Sequence, residues 1–391
     1  MFVISGGSFG GGDGTSGNPY LVEDAADLNA VRNSLAAHYK QTADISLSGY
    51  PNFEPIGNYI SVNNPFTGGY DFNWHRITDL TISNQVGWIG LFGSVDGAVM
   101  ENGVVDGASI QKVASETAAA AVLIGQCANA TIEKMSISGS VTNNFTDVYD
   151  AAAIMVGYAY NNVFRDCRVT GTSSSGSVAA GFAGIMVPGN IFENCFAAVS
   201  VQGNAPSKGG FAGLEHAGPN TFTAVYYDSD VSGQSDTGKG TPKTTAEMKQ
   251  QATFQGWNFC TVWEINEGIS YPIHRINSPF SPPAIKTTVI RSARPTVILN
   301  FPRLSACSGG PGLHFRIEVF ADVAMTVLIS DLNSQAHEFE YRPHDGASWT
   351  SVLSSGLPAT QYANRDTQIR AQMTVGPRQR VYLRASVGEA A

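Results

Sequence analysis

Four residues recur at a spacing that invites chemistry. Glu101, Glu133 and Arg165 fall 32 residues apart, and Glu193 joins them once a shorter interval is allowed. Paired carboxylates are the machinery of glycoside hydrolysis, one giving a proton while the other attacks or activates water. Such pairs stand alone, whereas a charged row with an arginine inside it describes a solvated edge on which Arg165 relieves repulsion between acids. The four are read as an outer ladder, and no catalytic residue is assigned. Two further stretches imitate known sites. Gly6-Gly7-Ser8-Phe9-Gly10 fits G-x-S-x-G but sits in a glycine run, without the strand and helix that a nucleophile elbow requires. "GQSDTGKG" at 233–240 nearly spells a P-loop, yet Gly240 stands where a Ser or Thr would hold magnesium. There is no HExxH or clustered His/Asp set, and the five cysteines include no CxxC pair. Neither a metal, a cofactor nor a disulfide framework is expected.

The elements that would position these residues follow from repetition. "LFGSVDGAVMENGVVDG" (Leu91 on), "LIGQCANATIEKMSISG" (Leu123 on) and "MVGYAYNNVFRDCRVTG" (Met155 on) align at a 32-residue step. Each anchor, Gly93, Gly125 or Gly157, is followed fourteen residues later by Gly107, Gly139 or Gly171. Two degraded copies follow, making about five between residues 86 and 238, and fixed-period self-similarity marks a solenoid. Apolar residues alternate within a copy: Met100, Ile132, Phe164 and Phe192 share one place, and Val104, Ile137 and Val169 another. Alternation broken by Gly and Asn means short strands with turns, and a copy of about 30 residues holds roughly three of them. The reading is an all-β chain built on a β-helix, with the repeat glycines holding corners. Cys167 and Cys195 align as inward packing residues. Open solenoid ends need covers, which "DAADLNAVRNSLAAHYK" and the Thr244-x-x-Glu247 capping box supply as helices.

The match then extends beyond the repeats. "GDGTSGNPYLV", "ADISLSGY", "NFEPIG", "PFTGGYDFNWHRITDLTI" and "GLFG" lead in, and "TTAEM", "GWNF", "VWEI" and "SYPI" lead out. Over about residues 12–276 the chain resembles proteins containing GLUG motifs. The resemblance implies a β-helix used on extracellular and viral surfaces, often in adhesins, with no catalytic site. One departure stands out: Asp71-Phe72-Asn73-Trp74 replaces "DGNG", with Trp88 in a small insertion and Tyr50, Tyr59 and Tyr70 nearby. Aromatic faces beside Asp and Asn suit sugar rings, so Tyr70, Asp71, Asn73, Trp74 and Trp88 form the candidate glycan site. The alternative is that they pack the first coil against its cap.

The expected organisation is a lead and capping helix (1–43), a β-helix with its C-terminal cap (44–276), a proline-rich linker (277–286) and a β-sandwich (287–391). The last is inferred from β-branched alternating runs and the hairpin signal Asp345-Gly346. It also carries ten arginines, a face for an acidic partner or a like subunit. Charged residues are only 14% of the chain, Gly numbers 42, and the net charge is -9, which gives no footprint for nucleic acid. No apolar run is long enough to span a membrane, and the N-terminus lacks the basic and apolar regions of a signal peptide. The expected function is non-enzymatic: a bacteriophage fibre or spike on the virion surface. Its partners would be capsid or tail proteins and a host glycan or receptor, with a homotrimer as the working assembly. A bacterial surface adhesin is the alternative, and a polysaccharide depolymerase using the carboxylate row is a third.

Overall fold

The computed structural model describes residues 9–57, 64–83, 86–113, 118–216, 218–259 and 261–275, with strand backbone in places beyond 286. The chain is mostly β. Short strands stack in parallel into a β-solenoid whose turns contribute to three sheets. The longest sheet runs through Tyr20–Val22, His38–Gln41, Gly69–Asp71, Val99–Lys112, Thr131–Asn143, Arg168–Ser175, Phe196–Gln202, Tyr226–Asp228 and Thr241–Lys243. A five-stranded sheet stacks Phe92–Asp96, Ile124–Ala128, Val156–Tyr160, Ala183–Met186 and Ala212–Glu215. The bridges Ile56↔Phe92 and Phe66↔Val95 add a row before it, so the solenoid has about six turns where the repeats alone suggested five. A third, small sheet joins Ala151–Ala152, Val178–Ala180 and Ser207–Gly209.

Inward residues make one continuous apolar core. Met100, Ile132, Phe164 and Phe192 stand in register, as their alignment predicted. The Phe164, Phe192 and Phe222 rings stack at 5.2 and 5.1 Å. Ile137, however, pairs with Val105 rather than Val104. The 32-residue step also slips once, because Gly139 faces Ala108 across a bulge that leaves Gly107 without an opposite residue.

The repeat glycines correct the corner reading. Gly93, Gly125 and Gly157 lie within strands of the five-stranded sheet. A Cβ on Gly125 would come 2.6 Å from Ile89 N and 2.8 Å from Gly93 O, so close stacking, not turning, requires glycine there. Gly139 and Gly171 are mid-strand partners, and Gly107, at φ 68° with open space around it, is the bulge residue inside Val99–Lys112. The corners belong instead to two columns of left-handed residues. Asn102, Lys134, Asp166, Asn194 and Ala224 form one, with φ of 51–59°. Gly97, Asn129, Asn161, Gly189 and Gly218 form the other. Asn and Asp tolerate this region better than most residues, which is why asparagine is frequent at these positions.

Polar ladders reinforce the corners. Asn129 donates to Asp96 Oδ1 and Asn161 to Asn129 Oδ1, both at 2.8 Å. Inside, Asn162 Nδ2 donates to Asn190 Oδ1 at 3.0 Å and Asn190 Nδ2 to Asn220 Oδ1 at 2.9 Å. Asn162 Oδ1 also accepts from Ala130 N at 2.9 Å, so buried backbone is satisfied by side chains.

Both caps are present. Helix α1 (Ala25–Ala30) starts at Asp24, whose carboxylate accepts from Ala26 N and Asp27 N. It is shorter than the apolar spacing suggested, because a 3-10 turn follows and His38–Gln41 joins the long sheet. Helix α2 (Ser229–Ser232) ends at Gly233, and α3 (Thr245–Met248) carries both halves of the Thr244/Glu247 capping box. The "GQSDTGKG" segment crosses the end of the stack as a loop, where Asp236 accepts from Gly210 N.

The chain divides into two compact units, one comprising residues up to Gln255 with Glu267–Tyr271, the other Gly256–Asn266 with residues from Pro272 on. In the second, Trp257 and Trp263 pack at 4.5 Å and Trp263 stacks on His274 at 4.3 Å. Beyond 286 the backbone runs in antiparallel strands, among them Leu313–Phe320 beside Arg380–Glu389 and Thr296–Phe301 beside Thr367–Gln372. Residues 277–285 of the expected 277–286 linker, the Asp345-Gly346 turn and the Gly6–Ser8 part of the G-x-S-x-G stretch lie outside the described residues, and Lys286 already begins the strand Lys286–Val289.

Candidate functional site

Parallel stacking turns a sequence column into a physical row. Lys40, Asp71, Glu101, Glu133, Arg165, Glu193 and Thr223 are successive register partners. The expected ladder therefore exists as a row on the long sheet, extended by Lys40 and Asp71. Arg165 is its central cation: Nε donates to Glu193 Oε2 at 2.8 Å, and Nη1 to Glu133 Oε1. Lys40 reaches Asp71 at 3.5 Å. Glu101 lies between two acids. Burial, with Asp71 and Glu133 beside it, pushes its carboxyl above the usual value, against the weaker pull of Lys134 and Lys40. The hydrogen bond to Glu193 holds the Arg165 guanidinium still more firmly protonated than usual. Chemically the row is a charge-compensated edge. Glu133 and Glu193 are both ion-paired to one arginine.

The five-residue aromatic site does not assemble. Tyr70 is 1% exposed and packs among Phe72, Phe92 and Tyr39, at 4.5, 5.9 and 6.2 Å. It points inward because its strand alternates and its neighbours Gly69 and Asp71 take the outward places. Asp71 and Asn73 serve the turn: Asp71 Oδ1 accepts from Asn73 N at 2.8 Å and Asn102 Nδ2 at 3.1 Å. Trp74 occupies a left-handed corner at φ 63°, its N–H donating to Asn102 O at 2.8 Å. Trp88 lies in a bend ahead of the five-stranded sheet, packing on Tyr158 at 5.4 Å. Only Trp74 and Trp88 of the three aromatic candidates are even half-exposed, and they occupy different faces.

Trp88 leads to a row that sequence reasoning missed. Along the five-stranded sheet the outward column after the glycines reads Ser94, Gln126, Tyr158, Ile185 and Leu214. Against it lie Tyr149, 6.0 Å from Tyr158, and His216, 6.3 Å from Tyr149. Ala119, Ala151, Val178 and Ile185 form the apolar base under Trp88, Tyr158 and Leu214. Burial, then the nearby Tyr149, pushes the Tyr158 phenol up from its ordinary value. The sequence signal was the residue after each anchor glycine, where Tyr158 breaks a column of smaller side chains.

Three buried thiols complete the inventory. Cys127, Cys167 and Cys195 are free and fully buried, and burial followed by the neighbouring Cys167 pushes Cys195 well up. They pack, as expected of inward cysteines. No helix among the described residues is long and apolar enough to cross a membrane.

Comparison with known proteins gives three findings. No family model matches the chain. A protein of Evansella cellulosilytica named "Putative Gly-rich membrane protein" is 42% identical over 110 residues, 26% of this chain and 12% of its own length. Halomucin of Haloquadratum walsbyi is 38% identical over 112 residues, 25% of this chain. The chain thus spans only about 12% and 1% of these relatives. Among solved structures, a "putative immunoglobulin A1 protease" from Bacteroides ovatus aligns with TM-score 0.45 and 17% identity, over 70% of this chain and 97% of that one.

Proposed function

We propose that the chain is a non-enzymatic display module of a surface protein, a stiff solenoid that carries recognition groups outward. The observation that carries this reading is the charge-compensated ladder: the row that offered catalysis is organised by Arg165 as an outer edge. Relatives named as a membrane protein and a halomucin support a place at a cell surface or outside the cell. Within that class, the finer proposal is a fibre or spike of a bacteriophage virion, its C-terminal strands forming a β-sandwich and its assembly a trimer. The second form is a bacterial surface adhesin, which a relative named as a membrane protein also suits.

Immunogold labelling of the native source with antibodies to this chain tests the class. Label on cell envelopes or on virus particles supports it and selects between its two forms, whereas label confined to the cytoplasm overturns it. The depolymerase reading predicts reducing sugar that vanishes with Glu133→Gln or Glu193→Gln. On the proposed reading, neither the chain nor those variants release any from polysaccharide.

A further inference from the structure

We infer that the outer face of the five-stranded sheet carries a binding trough for a neutral pyranose oligosaccharide, formed by Trp88, Tyr149, Tyr158 and His216. The inference rests on the display reading above and names what is displayed. The four rings are linked by contacts of 5.4, 6.0 and 6.3 Å, tilted to one another by 53, 71 and 57°. Tilted rings make a trough, not a flat platform, so they fit a single chain of sugars better than a crystalline surface. Tyr149 is 37% exposed and His216 is exposed, while Trp88 and Tyr158 are half-buried. Each ring thus offers an apolar face with a polar edge, the combination that sugar rings require.

Three further observations point the same way. Gln126 is the register partner of Tyr158, and its buried Oε1 meets no hydrogen-bond donor. A buried acceptor without a donor is unfavourable, and amide rotation beside a sugar hydroxyl would satisfy it. Next, the loop bearing Tyr149 is pinned from beneath. Asp150, fully buried, pairs with the equally buried Lys112 and accepts from Asp147 N at 2.9 Å. Buried ion pairs contribute little net stability but fix geometry, and a trough wall fixed in advance loses less entropy on binding. Finally, the four residues that form the trough include no lysine, arginine or acid, and His216 lies at its exposed end. Its sequence neighbour Glu215 is already engaged by Asn220 Nδ2 at 2.7 Å, and the chain's net charge of -9 disfavours an anionic glycan.

The test titrates the whole chain with cellohexaose, mannohexaose and chitohexaose, with hexagalacturonate as the anionic comparison, by calorimetry and tryptophan emission. Saturable binding of at least one neutral hexamer is expected, with an emission change that survives Trp74→Phe. Tyr149→Ala and His216→Ala, both at exposed positions, each weaken it at least tenfold with unchanged far-UV circular dichroism. Should Tyr149→Ala disturb the fold, His216→Ala alone decides. Binding of none of the neutral hexamers, binding undiminished by these variants, or equal binding of hexagalacturonate overturns the trough. None of those results bears on where immunogold places the chain, so the two readings fail separately.

Discussion

Glu101 shows how a single rung feels its row. Its carboxyl is raised because burial and the neighbouring Asp71 and Glu133 disfavour its charge. The folded chain therefore binds that proton more tightly than the unfolded chain, and stability rises as pH falls through the raised value. Glu101→Gln is expected to raise the melting temperature at pH 7, and the gain should vanish near about pH 4, where carboxyls protonate in both states. Arg165→Ala should do the reverse at neutral pH. It removes a partly exposed pair on each side, costing about 0.5–1 kcal/mol, or roughly 2–4 °C, and leaves adjacent acids unrelieved. Melting curves of both variants across pH check the two signs. A fall in melting temperature for Glu101→Gln at pH 7 would show that the carboxylate is favourably held.

At the scale of the element, the corner decides what the strand may contain. Asn194 turns the chain at φ 52°, a region that β-branched residues enter with difficulty. Asn194→Val should cost roughly 1–2 kcal/mol while Asn194→Gly stays near the parent, as chemical denaturation would report; equal costs would locate the effect in the side chain's contacts instead. This distinction also explains what the sequence made legible. Alternation and the 32-residue step exposed the strands, the stacked core and the rung order, because inward burial and period two leave a pattern in residue type. The corners were misassigned because glycine serves two needs. At Gly125 it permits close stacking and at Gly107 a left-handed bulge residue, and composition alone cannot separate them. The bulge at Gly107 was hidden because a one-residue slip leaves the apolar pattern on either side intact. The aromatic trough was hidden for another reason: Tyr149 and His216 have no counterpart in the anchored windows, and only folding brings Tyr149 beside Tyr158 and His216 beside Tyr149.

For the whole molecule, parallel stacking makes length a matter of complete turns. Each turn contacts mainly its neighbours, so stability should behave as a sum over rungs and interfaces. Removing residues 157–183, from one anchor glycine to the next, brings Phe192 onto Ile132 and Asn190 beneath Ala130. That chain should keep its β-rich circular dichroism and unfold cooperatively at a lower denaturant midpoint. Removing 157–170, about half a turn, should abolish folding, because it joins Val156 of the five-stranded sheet directly to Gly171 of the long sheet and leaves neither strand its register partner; folding of both deletions alike would refute register control. The buried cysteines carry a different consequence. Cys127, Cys167 and Cys195 sit inside successive turns, where a thiol is shielded from reagents, and burial also pushes the Cys127 and Cys195 thiols up. Alkylation of each is therefore a clock for the opening of its own turn. With Cys260 and Cys307 replaced by serine, the order in which the three react would read out which end of the rod comes apart first.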